Sequence, residues 1–325
     1  MIQISPSDRR GVAFKIMKKL LPIICAVILV AGMTAAAVLF DNREIIFPEI
    51  AAIAVGALVS PKFSWNANKL RIFIYITVCA ILGVAIVKWL PLPIWAQMIT
   101  AFLLAQILLV NSKTSFAPMI SALVLPVMLQ TDTVVYIISA MVLTALILLC
   151  RSAFENGGVL EKSDFSPLPK PRWNEYGNIF LRTLFAAVII VLAVLLNFRF
   201  VAAPPLLVAF TEFSHLISKA RSVPVKSVAL ITLCGLFGAA LRYIFCIKLT
   251  VLPLYAAAAL TMVCVILLMK AMKLYIPPSG AVSILAMIIP ESSVIWFPLQ
   301  IFVGTSLIML IARLFFKEKN SAPET

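Results

Sequence analysis

The run 20–40 carries no charged side chain. As a helix rising 1.5 Å per residue it would reach about 31 Å, the thickness of a bilayer's hydrocarbon core. Eleven more apolar runs follow, at 45–60, 70–90, 94–110, 115–129, 134–150, 179–197, 202–218, 225–247, 251–269, 276–290 and 294–314. They are unbroken where a membrane β-barrel would alternate apolar with polar residues. Hydrophobic residues make up 63% and charged residues 12%, with a mean hydropathy of +1.09. No soluble core of this size absorbs that excess. The expected fold is an all-α polytopic membrane protein with about twelve transmembrane segments.

The segments divide as six plus six. The expected boundaries are a cytoplasmic N-terminus at 1–19, a first six-helix repeat at 20–150, a polar linker at 151–178, a second repeat at 179–314, and a tail at 315–325. In each half the second and fifth segments are short and bear proline. Pro48 and Pro204 stand 156 positions apart, and Pro118 and Pro278 stand 160 apart. Two landmarks with nearly one offset indicate a duplication. Because 1–19 is polar and basic and the next run continues into the protein, no cleaved leader is expected.

The net charge of +14 follows topology. With the N-terminus cytoplasmic and every segment crossing, 22 of the 27 Lys and Arg residues fall on the inner side. Arg43, Lys88, Arg199, Arg242 and Lys248 remain outside or near outer ends, Arg242 and Lys248 as snorkelling side chains. Six crossings per half give parallel repeats, related by an axis along the membrane normal. A single re-entrant segment per half would flip the second half and turn its basic loops outward. The expected location is the inner (cytoplasmic) cell membrane, with both termini cytoplasmic.

Few polar groups lie at membrane depth. Pro48 and Glu49 open the second segment, Pro118 the fifth, Pro204 and Pro205 the eighth, and Pro277, Pro278, Ser279 and Gly280 the eleventh. Any one such proline is explained by helix initiation. Four at matching places predict short helices whose N-terminal N–H groups and positive dipole ends point to a common depth, a setting that favours anions. These nine residues are the candidate substrate-binding set. Glu212 reads as the carboxylate nearest the middle of an apolar segment, with His215, the chain's one histidine, three residues on. The pair is the candidate proton-coupling site if its segment spans; if that segment tilts or re-enters, both sit at the inner interface. Gln97, Gln106 and Gln300 read as interhelical hydrogen-bonding residues.

Nucleotide-binding glycine loops are absent from the sequence, and one histidine without a His/Cys/Asp cluster argues against a metal hydrolase. The six cysteines have no metal spacing and read as small buried residues. Neither enzyme activity, nor a cofactor, nor a metal, nor a nucleic-acid partner is expected.

The stretch from Ile276 through Pro277, Pro278, Ser279, Gly280 and Ala281, followed by Leu285, Ala286 and Pro290, resembles the His-Pro-Pro-x-Gly-Ala signature of the HPP membrane proteins. Ile276 stands where that signature has its histidine. The layout also resembles the fusaric-acid-resistance and aromatic-acid-exporter superfamily, which includes the plant malate channels. Leu181-Arg182 then opens the second unit's first helix, and Gly235 to Gly238 lie in its third. Both resemblances imply passage of anions, nitrite in one and organic or aromatic acids in the other. The expected function is a permease or exporter of small anions, with the pathway between the halves and a proton as one candidate coupling ion. Its expected partners are the solute, the bilayer, and a periplasmic adaptor or further copies of the chain. The alternative is a non-transporting membrane subunit that scaffolds another protein.

Overall fold

A computed structural model describes residues 6–316, with side chains from 17 onward. The side chains of Arg9, Arg10 and Lys15, and all of Lys317, Lys319 and the tail beyond 316, lie outside the described residues, so the charges assigned to them have no structural counterpart here. In chain order the helices are α1 (Pro6–Leu39), α2 (Glu49–Ala54), α3 (Lys69–Trp89), α4 (Ile94–Asn111), α5 (Pro118–Leu129), α6 (Val134–Asn156) and α7 (Trp173–Leu195). They continue as α8 (Pro204–Ser214), α9 (Lys219–Ser222), α10 (Pro224–Leu241), α11 (Leu254–Met272), α12 (Pro277–Leu285), α13 (Glu291–Val294) and α14 (Phe297–Phe315). Two π-helical stretches extend them, Val55–Val59 after α2 and Arg242–Lys248 after α10.

Among the described residues eight helices are long and apolar enough to cross a membrane: α1, α3, α4, α6, α7, α10 with its π extension, α11 and α14. About twelve transmembrane segments, four of them short, are expected from the sequence. The other four segments form short helices: α2 with its π stretch, α5, α8 and α12. At nine to twelve residues each they are about 14 to 18 Å long, roughly half a hydrocarbon core. Proline sets where they begin, as the N-cap of α2 (Pro48) and at the first position of α5, α8 and α12. A ring nitrogen without a proton costs nothing there.

The short helices form the centre. α2 packs on α12, α12 on α8, α8 on α5, and α5 on α2, closing a ring. Each is flanked by two long helices: α2 by α1 and α6, α5 by α3 and α4, α8 by α7 and α14, α12 by α10 and α11. Every residue of α2, its π stretch and α12 is buried; α5 leaves only Leu129 partly open and α8 only Glu212. The long helices carry the exposed apolar side chains, among them Leu70, Leu149, Phe180 and Leu267, that lipid would cover.

Lipid is as apolar as leucine, so close packing and buried hydrogen bonds must hold such helices together. Gly83 on α3 and Gly238 on α10 let backbones touch: a Cβ there would lie 2.4 Å from the Leu123 carbonyl oxygen and 2.0 Å from that of Ser283. Phe47 meets Tyr136 edge-on at 5.7 Å, and Phe200 meets Phe297 edge-on at 5.6 Å.

Polar contacts tie helix ends into two layers. In one, Lys69 at the start of α3 pairs with Glu155 at the end of α6, and Arg71 donates to the Ser112 carbonyl past the end of α4 at 2.8 Å. Arg151 near the end of α6 donates to the Ala57 carbonyl at 2.6 Å, and Arg221 donates to the carbonyls of Phe213 and Ala312. In the other layer Gln97 joins Leu90 and Gln130, Thr133 donates to Glu44, and the Phe200 N–H donates to Gln300. Arg242 belongs here and is a correction. It does not snorkel but is buried, donating to the carbonyls of Ala286 and Ile289 at 2.6 and 2.7 Å, so it closes the end of α12. Lys248 is exposed as expected.

Candidate functional site

The N-terminal turns of three short helices meet in the ring. Glu49, the first residue of α2, accepts a hydrogen bond from Ser121 in the second turn of α5. Gly280 in the first turn of α12 lies against the α2 backbone, where a Cβ would come within 2.8 Å of the Ala51 carbonyl oxygen. No larger residue fits that contact without shifting a helix. Ser279 beside it is fully buried, and its hydroxyl has no partner. Glu49 is also fully buried; its second oxygen, Oε2, has no partner. Pro118, Pro277 and Pro278 line the same turns. Pro204 and Pro205 are buried at the start of α8, where the adjoining Val201 carbonyl and Leu206 pack on Gly304 of α14.

The expected bank of free backbone donors at these starts is largely missing. Prolines at the first two positions of α8 and α12 have no N–H to give. The third positions are already used, by Leu206 N–H to Ala203 and by Ser279 N–H to Ile276. The double proline that signals these helices from sequence therefore also removes two donors from each end. What remains is the dipole and the Ser279 hydroxyl.

The Glu212–His215 pair stands at the edge of the ring. α8 ends at Ser214, so Glu212 lies in its last turn and is the one α8 residue not buried. His215 is the exposed C-cap, its N–H bonded to the Glu212 carbonyl. The end of α8 is level with the end of α14, since Arg221 joins Phe213 to Ala312. The segment 202–218 is therefore not one continuous helix through Glu212 and His215.

A second polar cluster lies where the two halves of the chain touch. Arg182 of α7 is buried and donates to Gln106 Oε1 of α4 at 2.8 Å, while Gln106 Nε2 donates to Thr211 of α8 at 2.6 Å. Its only other hydrogen bond is a long one, 3.4 Å, to the Asn178 carbonyl in its own helix. Three other buried or partly buried arginines are better satisfied. Arg151 has Glu155 and two carbonyls, Arg221 three carbonyls and Arg242 two. Among the described residues no carboxylate hydrogen-bonds Arg182, although Glu175 on the same helix acts on it through space. The signal of Arg182 in the sequence is a lone arginine inside an apolar helix, and Gln106 is interhelical as expected.

These spans around a buried ring of short helices define a multi-pass α-helical membrane protein. No family model, curated protein or solved structure matches the chain.

Proposed function

We propose that the chain is a permease or exporter of small anions, built from two parallel six-segment units with the pathway between them. The observation that carries the reading is Arg182. A guanidinium stays charged at any physiological pH, and burying it without a counter-charge costs several kcal/mol. Arg182 is buried at the contact of α7 with α4, one helix from each half, and among the described residues no carboxylate hydrogen-bonds it; Glu175, two turns earlier on α7, acts on it only through space. An anion arriving there supplies a direct partner. Gln106 and Thr211 hold the guanidinium in place. The resemblance of 276–281 to the HPP signature points to the same substrate class.

Several pairings support the duplicated layout. Gly83 and Gly238 each press a short-helix carbonyl, Phe47–Tyr136 and Phe200–Phe297 meet in the same geometry, and Pro93 and Pro253 both cap helices. The contacts between halves also come in matching pairs, α1 with α11 beside α7 with α4, and α2 with α12 beside α8 with α5. Turns, coil and 3-10 stretches beside each short helix complete its crossing, so the helix ends fall into two layers. The layer holding Lys69, Arg71, Arg151 and Arg221 is the cytoplasmic one by its excess of basic residues.

The test is flux in proteoliposomes with nitrite and an aromatic carboxylate as probes. Uptake or efflux by the wild type and a severalfold loss in Arg182→Gln support the reading. Absence of flux for both anions returns the chain to the scaffold alternative.

A further inference from the structure

The fully buried carboxylate in the ring is Glu49, not Glu212. One oxygen accepts from Ser121; the other meets no donor. A carboxylate has about four lone-pair sites, and with the Ser121 hydroxyl and its own backbone N–H as donors a buried anion there is incompletely satisfied, so burial favours the neutral acid. The elements around α2 supply no cation to offset a charge. α5, α12 and the π stretch carry no titratable side chain. α6 brings Tyr136, which interacts electrostatically with both Glu49 and Cys79 of α3 and donates its hydroxyl to the Ala122 carbonyl. Cys150, Arg151 and Glu155 lie toward the other end of α6, where Arg151 is taken up by Ala57 and Glu155. On the described part of α1, Cys25 adjoins Cys150, and Lys18 and Lys19 lie at the end that reaches the Gly158 carbonyl.

The other half has no such group. Position 205, the counterpart of Glu49 at the 156-residue offset, is proline, and position 281, the counterpart of Ser121 at 160, is alanine. The duplication has diverged at the one place where a carboxyl sits among the helix starts. Neutral when protonated and without a cation when not, held then only by the α2 dipole and its hydrogen bonds, such a group changes charge without a partner having to move. It lies on the ring between the halves, as the transport reading requires of a coupling group.

We propose that Glu49 takes up and releases the proton that accompanies the anion. The step is a simple proton transfer between carboxylate and carboxylic acid, with no other bond made or broken. This rests on the transport reading above, and the experiment separates the two. Wild type, Glu49→Gln and Glu49→Asp are reconstituted, and anion exchange at equal pH is compared with accumulation driven by an imposed pH gradient. In parallel, infrared difference spectra between two pH values follow the carboxylic-acid carbonyl band. The expected result is gradient-driven accumulation lost by tenfold or more relative to exchange at equal pH in Glu49→Gln, partial return in Glu49→Asp, and a pH-dependent acid band absent from Glu49→Gln alone. Accumulation equally driven by pH in Glu49→Gln, or an acid band unchanged in that variant, overturns the assignment while leaving the transport reading intact. Absence of any anion exchange in the wild type overturns both.

Discussion

Arg151 reaches across from α6 to donate to the Ala57 carbonyl at 2.6 Å, tying a long helix to the end of the short second segment. In the other half Arg221, from a different place in the chain, donates to the Phe213 carbonyl, 156 positions on from Ala57. Two unrelated arginines thus satisfy matching orphan carbonyls. A buried helix-end carbonyl has no water to do this, so each half meets the need with an arginine of its own.

Removing the first of them is costly. Arg151→Ala strips Glu155 of its buried partner and leaves the Ala57 carbonyl unpaired. The expected loss is on the order of 3 kcal/mol, read as a lowered midpoint of thermal unfolding in detergent. Arg71→Ala, which removes one carbonyl contact nearer the surface, should cost less.

The paired glycines give a second test. Gly83→Ala and Gly238→Ala each drive a methyl into a carbonyl oxygen, and each should destabilise by about 1–3 kcal/mol. Gly32→Ala, where a Cβ meets nothing within 4 Å, should be neutral or slightly stabilising. Thermal midpoints of the three variants decide this.

Topology can be read by labelling. In a background without the six native cysteines, single cysteines at Asp164 in the linker and at Asp132 before α6 should react from opposite faces of the membrane. Reaction from a common face removes the even crossing count and the parallel repeat with it.

Arg182 and Glu212 separate substrate binding from the rim. Arg182→Lys keeps the charge but loses the planar fork that meets Gln106, and should weaken anion affinity less than Arg182→Gln does. Glu212→Gln, altered where α8 already reaches the edge, should leave pH-driven accumulation within about twofold of wild type, a small change beside tenfold per 1.4 kcal/mol. Flux titrations against anion concentration measure both.

The long helices were legible because their apolar runs match a bilayer, and the short ones because proline marks their starts. Their depth was not legible. Glu212 reads as mid-segment only if 202–218 is one continuous span, and α8 stops at Ser214. Glu49 reads as one of several helix-opening residues at membrane depth, and only the packing of α2 on α12, α5 and α6 shows it fully buried in the centre. Arg242 reads as a snorkelling cation since its target carbonyls, at Ala286 and Ile289, are more than forty residues away. Such distant acceptors leave no trace in local periodicity.

The central ring also governs how the protein can be made. α2 and its π stretch are too short to cross lipid alone, and their partner α12 is synthesised about 220 residues later. At roughly 5–20 residues per second that is a wait on the order of 10–50 s. During it Glu49 and the open end of α2 have only the helices of their own half for shelter. The chain therefore needs either a protected space beside the ribosome's exit channel or a first half that holds α2 provisionally until the second arrives, so late truncations should leave the early half exposed to membrane quality control.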